Sequence, residues 1–175
     1  MGASGLDLMV DPELDVAEVA RFFGRVVAGP GRQDCWLWTG AIGDDGYGRF
    51  AIRRAGVLRM VRTPRYALAV AAAGRALDGG VRALHGCDVP LCVRVVDAHD
   101  VCAGVRQHVV EGTQRENMIR MARARRGGGS PAVIARRAGV AARREQSRAL
   151  RAAVRSGWDG AAVEAALLGG QPRLW

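Results

Sequence analysis

The sequence predicts a small α+β protein, and three observations lead there. Residues 35–62 hold three strand-like runs separated by turn-forming residues. Amphipathic stretches with helix start and stop signals lie on either side of them. Near the middle, two short apolar runs, 81–84 and 107–111, lead into a helix whose first turn carries a capping box.

Taken in order, residues 7–28 read as an amphipathic helix with an apolar stripe of Leu14, Val16, Val19, Phe22, Phe23 and Val26. "AGPGRQD" (28–34) breaks the chain. "CWLWTG" (35–40), "YGRFAIR" (47–53) and "VLRMVR" (57–62) are strands, and the turn-rich "AIGDDG" predicts that the first two pair as a hairpin. "TPRYALAVAAAG" (63–74) is a helix, with Pro64 in its first turn and Gly74 as its stop. "VRAL" (81–84) is a strand running into His85, and "QHVVE" (107–111) is a second. Thr113 and Glu116 match T-x-x-E, which starts a helix over 113–125 and puts Asn117 in its first turn. "GGGSP" (127–131) reads as a flexible linker. Two helices follow, 131–156 and 160–168, the second capped by Asp159. The organisation expected is an acidic helical segment (1–30), a central domain (31–126), the linker (127–131) and a basic helical extension (132–175).

Charge is distributed unevenly. The net charge of +9 comes from arginine, since the chain has no lysine. Residues 1–20 carry five acids and no base, whereas 115–155 carry twelve arginines against Glu116 and Glu145. A basic half on a protein of this size points to a polyanionic partner, most often nucleic acid, or else to a solvated helix face. No apolar stretch approaches the ~18 residues of a membrane span. The acidic N-terminus has no basic segment followed by an apolar run, so no secretory signal is expected, and "MGASGL" has Leu6 where a myristoylation signal wants Ser or Thr. A cytoplasmic location follows as the expectation, and in a reducing compartment clustered cysteines bind metal more often than they form disulfides.

The cysteine spacing carries that argument. Cys87 and Cys92 enclose "DVPL", a loop-like stretch in which Pro90 favours a tight turn. Two thiolates at this separation can grip one zinc ion, which wants four ligands. The remaining candidates are Cys35, Cys102, His99 and His108. The alternative is a pair of buried core cysteines.

The segments "CWLWTG", "GYGRF", "LHGCDVPLC" and "HVVEGTQRENM" together resemble the HNH, or His-Me finger, endonucleases, most closely the zinc-stapled branch found in phages and mobile introns. The resemblance covers about 35–122 and rests on several motifs in the family's order, with the nine-residue spacing from His108 to Asn117 kept. It implies a ββα-metal nuclease core within 31–126, built from strand 81–84, strand 107–111 and helix 113–125. It implies His85 as the general base and Asn117 as ligand of a catalytic divalent cation, usually magnesium. It implies Cys35, Cys87, Cys92 and His108 as ligands of a structural zinc. The implied activity is hydrolysis of phosphodiester bonds in double-stranded DNA, by nicking or double-strand cutting. The implied setting is a bacterial host cytoplasm, with a phage or homing role. The rival expectations are a zinc-stabilised DNA-binding module without catalysis, or a member of a phage packaging complex. A homodimer or a packaging protein is then a possible partner.

The sequence departs from the family pattern in three places. Fifteen residues, 93–107, separate Cys92 from His108 where members have only a few, so His99 and Cys102 stay open as replacement ligands. Leu84 stands where many members carry a second metal ligand. The family's "AHR" reads "TPR", with Pro64 in place of histidine and Arg65 retained. Arg49 and Arg65 are candidate phosphate contacts. The helices over 147–168 are expected to add non-specific backbone contacts to DNA or to pack on the central domain.

Overall fold

The computed structural model describes residues 7–123 and 132–169. The chain is mixed α+β, with three two-stranded antiparallel sheets and six helices among the described residues. The expected linker 127–131 lies outside the described residues, as do 1–6 and 170–175.

The N-terminal stretch is not the single helix that its apolar stripe suggests. Leu8 and Val10 are buried in extended chain: Leu8 bridges Leu77, and the Val10 carbonyl accepts from the Gly74 amide at 2.9 Å. The Asp11 carboxylate then accepts from the amides of Glu13 and Leu14, a turn that delays the helix. Helix α1 covers Val16–Phe23 and stops at Gly24. Beyond it, β1 (Val26–Ala28) pairs antiparallel with β2 (Trp36–Trp38), in the register Val27 to Leu37. The spacing of Val19, Phe22 and Val26 mimics one helical face, but Val26 belongs to a strand.

The expected hairpin between 35–40 and 47–53 is also redistributed. Strand β3 (Arg49–Arg54) pairs with β4 (Val57–Arg62), while "AIGDDGYG" folds into a small loop closed by an Ile42–Gly48 bridge. The β3–β4 turn is a two-residue loop in which Ala55 and Gly56 have φ of 48° and 78°. Two positive φ values match the right-handed strand twist and make this the tighter hairpin.

Arg62 is extended, and Pro64 sits in the first turn of α2 (Thr63–Ala71). Four elements then contribute one aromatic ring each to the core. Phe22 stacks on Trp38 at 5.2 Å and meets Tyr66 at 4.6 Å, while Phe50 meets Tyr66 at 4.7 Å. Strand β5 (Arg82–His85) pairs with β6 (Val109–Gly112), and between them lies a short helix α3 (Ala98–Cys102) within the 93–107 insertion.

The capping box forms as the sequence predicts: Glu116 accepts from the Thr113 amide at 2.6 Å, and Thr113 Oγ1 accepts from the Glu116 amide at 3.2 Å. It starts α4 (Gln114–Arg123), which packs on β5. Helix α5 (Ala132–Ala153) packs on β2 and on α6 (Gly160–Gly169), with Asp159 capping α6 through the Ala162 amide. Leu150, Val154 and Val163 join the same buried cluster as Trp38 and Phe50. The described part of the C-terminal extension is therefore docked on the rest of the protein. No described helix is long and apolar enough to cross a membrane.

Candidate metal centre

Four points of the chain converge because residues 91–95 lie between two strands. On one side the Val93 amide donates to the Trp36 carbonyl at 2.9 Å, and the Leu91 carbonyl accepts from the Trp38 amide at 3.0 Å. On the other side the Val109 amide donates to the Arg94 carbonyl at 2.9 Å. This zipper sets Cys92 opposite Leu37, beside Cys35 at the entrance to β2 and His108 at the entrance to β6. Cys87 arrives from the other end of the same loop. A turn in which the Cys92 amide donates to the Val89 carbonyl at 3.0 Å folds the loop back, with Asp88 at φ 57°. Gly86 is needed for the approach, since a Cβ there would collide with the Gln107 carbonyl.

The ligating atoms of Cys35, Cys87, Cys92 and His108 all lie within 4.8 Å of one another. His108 Nδ1 is 3.5 Å from Cys35 Sγ and 3.6 Å from Cys92 Sγ. Tetrahedral zinc, with Zn–S ~2.3 Å and Zn–N ~2.0 Å, requires sulfur–nitrogen edges of ~3.5 Å. The donor set therefore fits a metal ion such as zinc in number, type and spacing. The other expected candidates stay outside: Cys102 is exposed, and His99 is exposed on α3 beside Asp97 and Asp100. Asp97 is occupied in capping α3 through the Asp100 amide at 2.7 Å.

The electrostatics of the cage agree with that chemistry. Hydrogen bonding with Cys87 and Cys92, together with burial, pushes the Cys35 thiol up. Burial pushes Cys92 up to about 12. Hydrogen bonds from Cys35 and Cys92 hold Cys87 down, with a smaller contribution from His85 nearby. Three thiolates this close repel one another, and a divalent cation between them is what allows all of them to ionise. Burial also lowers His108, favouring the neutral ring that a metal ligand requires.

His85 ends β5 two residues before Cys87, paired across the sheet with Val109. Its ring faces Tyr47 at 5.9 Å, both ring nitrogens are buried, and the Cys87 thiol is its polar neighbour. Asn117 sits one turn into α4, its amide donating to the Thr113 carbonyl at 3.0 Å.

The two candidate phosphate contacts differ. Arg65 is engaged inside the protein, donating to the carbonyls of Leu77 at 3.1 Å, Asp78 at 2.8 Å and Val81. That is a structural occupation, binding α2 to the loop before β5. Arg49 pairs with Asp45 at 2.8 Å, and its Nη1 is buried without a partner among the described residues. Around Asp45 the structure gathers residues to which the sequence reading gave no role: Tyr47, Arg62 and, from α5, Arg143. The only signal for Tyr47 was its nearness to Arg49 in "GDDGYGR", and nothing in the sequence links that loop to Arg62 or Arg143.

No known family model, curated protein or solved structure matches the chain.

Proposed function

We propose that the chain is a metal-dependent DNA endonuclease of the HNH type, with a ββα-metal core formed by β5, β6 and α4. The observation that carries this reading is the cage itself. The four ligands that the resemblance implied are the four whose donor atoms converge, despite the insertion at 93–107. The cage clamps the loop that follows His85, so the imidazole leaves a strand end that is fixed on both sides. Its place at the end of β5, beside the cage and facing Tyr47, supports a role as base, in which an imidazole nitrogen takes a proton from the attacking water.

Asn117 is the residue that would hold a divalent cation, through its amide oxygen and together with DNA phosphates, as hard cations with few protein ligands are held. Bound magnesium would supply charge neutralisation at the phosphate and at the leaving 3′-oxygen. Zinc in the cage would act on the structure, holding the His85 strand and the α4 start in one unit.

The test is cleavage of supercoiled plasmid by purified protein, with and without added magnesium, beside His85→Ala. Nicking by wild type that requires magnesium and drops at least ~100-fold in the variant supports the reading. Equal cleavage by wild type and His85→Ala removes the base assignment and the mechanism with it.

A further inference from the structure

We infer that α5, outside the nuclease core, completes a phosphate-binding cradle beside His85, in which Arg143 joins Arg49 and Arg62 around Tyr47 and Asp45. The ligand is a phosphodiester of duplex DNA, so the inference rests on the DNA-endonuclease reading and names where that substrate sits.

Three guanidinium groups meet at Asp45, two on its carboxylate and the third on its backbone carbonyl. Arg49 reaches Asp45 Oδ2 at 2.8 Å, and Arg62 reaches the same oxygen at 2.6 Å. Arg143 donates to the Asp45 backbone carbonyl at 3.4 Å. The guanidinium carbons of Arg62 and Arg143 lie 4.8 and 5.8 Å from the Tyr47 ring centroid, within cation–π range. The same ring faces His85 at 5.9 Å. The neighbouring acid Asp44 is matched by its own partner, Arg144, at 3.1 Å. One carboxylate therefore stands among three guanidinium groups, which leaves an excess of positive charge next to the His85 imidazole. Arg49 Nη1 adds a buried donor with no partner among the described residues. Guanidinium forks suit the oxygens of a phosphodiester.

The placement of Arg143 is built into the packing. Ser147, fully buried one turn further along α5, donates to the Gly46 carbonyl at 2.7 Å. Gly46 has φ 83°, and a Cβ there would come within 3.0 Å of the Arg143 side chain. The loop thus receives α5 at closest approach, opposite the residue that carries the charge.

The test is the salt dependence of binding of a labelled duplex by the full chain in magnesium-free buffer, for wild type, Arg143→Ala, Arg143→Lys, Ser147→Ala and Arg25→Ala. Arg25 is exposed and has no side-chain ion pair among the described residues. Arg143→Ala is expected to weaken binding about 10-fold and to reduce the slope of log affinity against log salt by about 1, with Lys recovering the slope. Ser147→Ala loosens the docking of α5 that places Arg143, so it lowers the melting temperature and weakens binding in the same direction as Arg143→Ala, by less. An unchanged slope in Arg143→Ala overturns the cradle, as does the same loss in Arg25→Ala, or a failure of wild type to bind DNA. Plasmid cleavage separates this from the nuclease reading: an inert wild type with a normal Arg143 effect ends the nuclease and keeps the cradle. An active wild type with no Arg143 effect does the reverse.

Discussion

The two halves of this protein are held together by different physics. In one, α1, β2, β3 and α2 each bring one aromatic ring, and Phe22, Trp38, Phe50 and Tyr66 are buried against one another. In the other, β2, the 86–92 loop and β6 meet at the Cys35, Cys87, Cys92 and His108 cage, and α4 leaves Met118 and Ile119 exposed. Aromatic burial is non-directional and tolerates relaxation, whereas ligation demands four donors at fixed separations. The candidate catalytic residues His85 and Asn117 lie on the cage side, whose Val89, Leu91, Val93 and Val109 continue the buried cluster that holds the aromatic rings.

The strongest way to break this comparison is to remove a ligand. Structural zinc contributes an apparent ~10–16 kcal/mol in small metal-dependent units, comparable to the ~5–15 kcal/mol stability of a whole domain. Cys92→Ser, or a strong chelator, is expected to abolish stoichiometric zinc and to remove hydrogen-exchange protection from 81–123 first. Protection around Phe22 and Tyr66 should outlast it. Mass spectrometry of the metal content and of peptide exchange reads both halves at once. A folded wild type that binds no zinc, or uniform loss of protection across the chain, would sink the division into two halves.

The converse change is next in size. Phe22→Ala should cost about 3–5 kcal/mol, because a fully buried ring in contact with four others leaves a cavity. Denaturant titration measures it, and zinc content should be retained in the folded fraction. Leu150→Ala, at about 2–5 kcal/mol, asks which half α5 belongs to. Its burial beside Trp38 and Phe50 in the same cluster assigns it to the aromatic half. A cost within ~0.5 kcal/mol, the usual range for surface positions, would mean that α5 is not docked in solution.

The same contrast explains what could be read from the sequence. Short-range chemistry was legible: the Thr113–Glu116 capping box, Pro64 opening α2, Asp159 capping α6 and the cysteine spacing of the cage loop are all local rules. Cys35 and His108 as the distant ligands came from the resemblance to the HNH family, since spacing alone left Cys102 and His99 open as well. What failed was pairing. Val26 satisfied a helical period while its backbone was committed to Trp38, and "YGRFAIR" found β4 rather than β2 because the two-residue Ala55–Gly56 turn, with both φ positive, suits the twist of a hairpin. The insertion at 93–107 hid α3, too short for periodicity to detect. The meeting of Arg143 with Tyr47 was invisible, because it depends on how α5 lies across a loop about a hundred residues earlier.

The smallest effect sharpens the comparison from the side of pH. Burial alone would raise the Glu18 carboxyl, but hydrogen bonds from Arg54, at 2.8 and 2.9 Å, and from Tyr66 at 2.9 Å outweigh it and hold the group below its usual range. An acid depressed in the folded state adds stability that is fully present above its unfolded value of about 4.3, and that is lost as pH falls through the folded value. Glu18→Gln should therefore cost about 1–3 kcal/mol near neutral pH, the range for hydrogen bonds to charged groups, and progressively less in acid. The metal cage is also acid-sensitive, since protons compete for thiolate and imidazole, so the wild-type curve alone mixes both halves. The difference between wild type and Glu18→Gln, measured by urea denaturation at each pH, cancels the cage and isolates the bridge between α1 and β3. A difference that stays constant into acid would mean that Glu18 contributes by packing rather than by charge. The link between α1 and β3 would then give no acid-dependent support, leaving Asp45, which despite burial its hydrogen bonds with Arg49 and Arg62 hold below its usual range, and the cage as the acid-sensitive groups.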